Sequence, residues 1–264
     1  MVNIPMKTTE PFTKQSLSSI NLNKIQGAKT SQTIASINQG ITNQAQDMHN
    51  SHSSISSQHI IPPINNNMAA PAIPVSKPIP PLKNTIRKGQ KVPLETTSKL
   101  SRIKACLGWN TLNASCDVDV SAFLLNASGK VIGDSWFVFY GQTDSPDNST
   151  HFIVDQGTDR EIITIDFNRL NPSVSKIVFV LTINEALSKS LNFSMLKDSY
   201  IRIIDSISNN ELVSFMMDEY YANVTSMMIG ELYLHNNTWK FNAIGNGVAK
   251  DLAGLCELYG VQVI

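Results

Sequence analysis

The stretch CDVDVSAFLL, residues 116–125, reads as a buried β-strand that opens on two aspartates. Side chains two apart in a strand point to the same face, so Asp117 and Asp119 aim their carboxylates together. Like charges that close repel unless a cation sits between them. The pair therefore marks either an exposed strand end or a cation clamp. Short apolar segments of the same texture recur at 101–108, 135–140, 161–167, 176–183, 200–205, 211–217, 227–234 and 239–244, separated by Asn, Gly and Pro turn signals. Nine strands at this spacing predict an antiparallel β-sandwich or barrel, the mainly-β class.

Two helices are expected beside the strands. One is short, near residues 184–190. The other is VAKDLAGLCELYG (248–260), in which Val248, Leu252, Leu255, Cys256 and Tyr259 form one apolar stripe. Asn246 could cap its start and Gly260 its end, and Cys256 should be a core residue. Gly245-Asn246-Gly247 could offer backbone N–H groups to an anion, or simply turn the chain.

Composition divides the chain. Residues 1–95 hold ten of the twelve prolines, a single aromatic (Phe12), and nine Lys/Arg against three Asp/Glu, a net +6. Residues 96–264 hold twelve Lys/Arg against eighteen Asp/Glu, a net −6. The first part offers too little apolar surface to offset its ordering entropy, so a disordered Asn/Ser/Pro-rich tail is expected over 1–95 and a folded domain over 96–264. In Lys77-Pro78-Ile79-Pro80-Pro81 the isoleucine is flanked by prolines and is not expected in a core. The tail reads as a solvated linker, or as a ligand for a proline-recognising protein partner. His49, His52 and His59 lack zinc spacing and read as polar filler.

The three cysteines, Cys106, Cys116 and Cys256, are odd in number and form no CxxC pair. With no apolar leader after Met1 and no run of about 18 apolar residues, the expectation is a reduced, cytoplasmic protein with no membrane or nucleic-acid partner. The sequons at Asn113 and Asn148 are then chance matches.

Enzyme signals are poor. There is no GxSxG, P-loop or GxGxxG, and His151 and His235 have no evident nucleophilic partner, so no catalytic residue is expected. Oxygen-rich loops carry more signal: DSPDNST (144–150) is followed closely by DQGTDRE (155–161). Hard cations such as Ca²⁺ take six to eight oxygens from such groups, while Asp and Asn also serve plain solvated turns.

LGWN (107–110), CDVDVSAFLLNASGKVIGDSWFVFYGQTDSPDNS (116–149), IVFVLTINEA (177–186), SYIRIID (199–205), GELYLHNNTWKFNAIGNG (230–247) and LAGLCELYGVQV (252–263) together resemble the TerD family of tellurium-resistance and stress proteins. The resemblance implies a non-enzymatic β-sandwich that binds Ca²⁺ through acidic loop residues and acts in a chemical-stress response. It also implies, as an alternative, a cyclic-AMP-binding regulatory protein, because the family includes such binders in social amoebae. A third reading is an interaction module recruited through its tail. Carried over by position, the metal ligands are Asp117, Asp119, Asp155, Asp159 and Glu161. Arg160 stands where the family's ending has a middle acid, and the Gly-rich stretch before it is missing. That predicts a weakened Ca²⁺ site, since a cation replaces an oxygen donor.

Overall fold

A computed structural model describes residues 76–94 and 100–263. Twelve strands form two six-stranded sheets. Sheet one, in spatial order, contains β1 (Thr85–Ile86), β10 (Glu211–Met216), β9 (Leu196–Asp205), β3 (Arg102–Thr111), β7 (Glu161–Asp166) and β6 (Thr150–Val154). Sheet two contains β2 (Lys91–Pro93), β12 (Thr238–Val248), β11 (Ser226–His235), β8 (Lys176–Ile183), β4 (Val118–Leu125) and β5 (Phe137–Phe139). Only the β1–β10 pairing is parallel. The fold is therefore a largely antiparallel sandwich.

The burial pattern explains the layers. β7 alternates throughout, with Ile163 and Ile165 buried, and β3 alternates over its first four residues, with Ile103 and Ala105 buried, before both its faces are covered from Cys106 to Asn110. Lys104, Ile162 and Thr164 are only half-buried, as expected of a sheet with one wetter face. β4 and β8 are buried almost throughout, because sheet two is covered on both faces. The second cover is α1 (Leu252–Tyr259), whose Tyr259 ring lies 4.5 Å from Phe123. Phe123 in turn stacks on Phe137 at 4.5 Å. Cys256 is fully buried in that layer, as the apolar stripe predicts.

Several sequence expectations are corrected. Residues 76–94, grouped with the tail, contribute β1 and β2 to the two sheets, while residues 1–75 lie outside the described part. Ile79 is exposed, in keeping with its proline neighbours. β6 is an added strand that the turn-rich sequence before it conceals. Residues 184–190 form consecutive turns rather than a helix. The C-terminal helix starts later than expected: Val248 ends β12, and Asp251, whose carboxylate accepts the Gly254 N–H, is the cap in place of Asn246. Gly260 closes the helix at φ +82°, a conformation suited to glycine. Gly245 and Gly247 belong to β12, where the β11–β12 register shifts and Gly245 adopts φ +59°. They shape a bulge.

Candidate functional site

The five acids expected to bind metal fall into two groups. Asp117 directly precedes β4 and Asp119 is its second residue, on the face that also carries Phe123, as period two requires. β5 pairs with β4 only from Ser121 to Phe123, which leaves Val120 beyond its end. Glu161, the first residue of β7, fills that gap: its Oε2 accepts the Val120 N–H at 2.7 Å. On the other side of β4, the Asn184 N–H donates to the Asp117 carbonyl at 2.7 Å, and Asn184 Nδ2 lies 3.5 Å from Asp117 Oδ2. Asp119 and Glu161 are 8 % and 4 % exposed, so both carboxylates are nearly removed from water.

Tyr140 joins this group, and sequence reasoning passed over it. Its phenol is pushed well above the usual tyrosine value, first by burial and then by the negative charges of Asp119, Asp117 and Glu161. The negative charges of three acids thus act on one phenol, just after β5. Among the described residues, however, no three His, Cys, Asp or Glu side chains are grouped so as to hold a metal ion directly.

Asp155 and Asp159 lie elsewhere. The Asp159 carboxylate is held by Arg202 through Nε–H to Oδ1 at 3.0 Å and Nη2–H to Oδ2 at 2.6 Å. The Tyr200 hydroxyl adds a third bond at 2.9 Å. Tyr200 and Arg202 alternate along β9 with Ile201 and Ile203, so they occupy the face away from the core. Cys106 shares that face, and its thiol is pushed up to about 12 by burial and then by Asp159. It is an inert thiol at neutral pH. The Asp155 carboxylate folds back onto the Asp159 N–H at 2.9 Å.

Arg160 takes up neither group's geometry. Its Nε–H donates to the Trp109 carbonyl, its Nη2 lies 3.3 Å from Asn110 Oδ1, and its guanidinium sits 5.7 Å from the Trp109 ring centroid. Burial holds it below the ordinary arginine value.

His151 pairs with Asp144 rather than with a nucleophile, Nδ1 lying 2.5 Å from Oδ1. No helix of the described residues is long and apolar enough to cross a membrane.

The TerD domain model matches residues 82–259. The chain is 36% identical over 187 residues to the "Tellurium resistance protein TerD" of Alcaligenes sp, covering 67% of this chain and 97% of that protein. It is 35% identical over 189 residues to "General stress protein 16U" of Bacillus subtilis (strain 168), covering 68% and 98% respectively. On a match that spans both sheets and α1, the chain belongs to the TerD family.

Proposed function

We propose that the chain is a non-enzymatic TerD-family protein of a cytoplasmic chemical-stress response, and that Asp117, Asp119 and Glu161 give it a site for a hard cation, with Ca²⁺ the first candidate. Two nearly fully buried acids, Asp119 and Glu161, brought to the same strand by the Glu161 bond to the Val120 N–H, carry the reading. Buried like charges raise one another's energy, and a cation relieves that cost. The donors are all oxygen: three carboxylates, the Tyr140 phenol and the Asn184 amide. That chemistry suits a hard ion. The carboxylates must turn inward to bind it, which favours weak affinity.

Asp155 and Asp159 stand outside this proposal, because Arg202 and the loop's own N–H groups already use their oxygens. The stress assignment is supported by the printed names of the relatives, which concern tellurium resistance and general stress.

Isothermal titration of the full chain with Ca²⁺, beside Asp117→Asn/Asp119→Asn, tests the ion site. Wild type should release heat and gain thermal stability, and the double variant should do neither. Absence of both effects in wild type at millimolar ion overturns the reading. Deleting the gene should sensitise its host to tellurite or chemical damage.

A further inference from the structure

Lys77 lies five residues before the family match begins at residue 82, so it belongs to this chain's own N-terminal extension. It is nonetheless bound at both ends. Its backbone N–H donates to Asn110 Oδ1 at 2.8 Å, and its carbonyl accepts from Asn110 Nδ2 at 3.0 Å. Asn110 is itself buried at 4 % exposure and is held by Asp198 Oδ2 at 3.0 Å. The backbone of the extension is thus paired to a fixed amide, much as a strand pairs to a neighbour.

The Lys77 ammonium reaches the loop between β6 and β7. There it lies 3.3 Å from the Asp155 carbonyl, 3.0 Å from the Gly157 carbonyl and 2.6 Å from the Asp159 carbonyl. An ammonium has three N–H donors, and the loop supplies three acceptors from alternate residues. None of the three is a carboxylate oxygen. The Asp159 side chain is neutralised by Arg202, and that of Asp155 is turned back onto the loop. A backbone that curls three carbonyl dipoles around one point makes a cation cradle, and in this chain the cation is covalently attached. Pro78 and Ile79 then close over a small cleft that also contacts Trp109, Arg160 and Tyr200.

We propose that Lys77 is a tethered cation that latches the N-terminal extension to the 155–159 loop, occupying a carbonyl cradle that a free hard cation would otherwise enter. The latch is an autoinhibitory contact: while Lys77 fills the cradle the extension stays docked and the cradle is closed to a free cation. No residue of the cradle belongs to the Asp117–Asp119–Glu161 group, so either proposal can fail alone.

The test compares the full wild-type chain with Lys77→Met, using hydrogen exchange of the backbone amides in the docked strap around Lys77, whose own N–H is bonded to Asn110, and Ca²⁺ titration as the probe. Lys77→Met should exchange these amides at least tenfold faster and bind one more equivalent of Ca²⁺ than wild type. Unchanged exchange in Lys77→Met overturns the latch, and unchanged Ca²⁺ stoichiometry overturns the cradle. A wild type that binds no Ca²⁺ beside a Lys77→Met that binds one equivalent would sink the acid-cluster site and uphold this one. Asn110→Ala checks the latch independently, because it removes the backbone pairing while leaving the ammonium in place. It should likewise raise strap exchange.

Discussion

Replacing Arg202 by methionine isolates a nearly buried ion pair on the outer face of sheet one. Asp159 and Arg202 side chains are 5 % and 16 % exposed, so water does little to screen them. Arg202→Met keeps the bulk and deletes both charge-assisted bonds to the Asp159 carboxylate, leaving it the neutral Tyr200 hydroxyl and Cys106 thiol as side-chain donors. Stranding one charge of a buried pair costs about 3–5 kcal/mol. In a domain of this size, about 2–4 °C of melting temperature accompanies each kcal/mol, so the melt should fall by roughly 10 °C. Urea denaturation followed by tryptophan fluorescence reads the same loss as a lower midpoint with an unchanged slope. Asp159→Asn in the Arg202→Met background removes the stranded charge, and its amide oxygen still accepts from Tyr200. The double variant should recover most of the lost stability. A single variant that costs less than about 1 kcal/mol, or a double variant no better than the single, refutes the view of Asp159 as an ion-paired structural acid.

Gly230→Ala should destabilise by about 1–3 kcal/mol, because the new methyl would meet the Phe241 ring at 2.7 Å, and that ring is fully buried. A thermal melt within 1 °C of wild type would show that the ring can yield. Asp147 should contribute to acid sensitivity: burial raises its carboxyl, but bonds from the Ser145 hydroxyl, the Ser149 N–H and the Asn171 N–H outweigh that and hold it below its ordinary 3.8. A depressed folded-state value stabilises fully above pH 3.8 and loses that contribution as the pH falls through the folded value. The stability gap between wild type and Asp147→Asn should therefore be constant from pH 5 to 7 and shrink below pH 3.8. A gap that persists undiminished to pH 2 would contradict it.

How far the sequence could be read depended on the distance over which each signal acts. β3, β4 and β8 were legible because ten, eight and eight residues of apolar patterning outweigh local accident. β1 and β2 run for two and three residues, carry charge and proline, and owe their place to neighbours more than a hundred residues away, Ser214 and Phe241 among them. No local pattern announces such strands. Asn246 was the expected cap, but the bulge at Gly245 let β12 run on through Val248, and Asp251 caps the helix instead.

The site divides along the same line. Asp117 and Asp119 could be placed together from period two alone, and Glu161 meets them. Simple alternation would put Asp159 on the same face as Glu161. Asp159, however, precedes β7 in a bend, and the draw of Arg202, 43 residues away, sets its direction. Tyr140 and Lys77 were likewise invisible, since their partners become neighbours only once the sheets are assembled.

The segment from Thr85 to Pro93 serves both sheets at once. Its first strand lines the side of β10 and its second the side of β12, with a tight turn at Arg87–Gln90 between them, the Gln90 N–H bonding the Arg87 carbonyl at 3.0 Å. A single nine-residue clip thus covers one margin of each sheet. Strip it away and two backbone rims are laid open together, at Ser214–Phe215 of β10 and Lys240–Asn242 of β12, each ready to recruit a foreign strand. The boundary that composition suggests, at residue 96, would cut on the wrong side of that clip. For this chain, the few polar residues that look like linker are what separates a self-contained sandwich from a self-associating one.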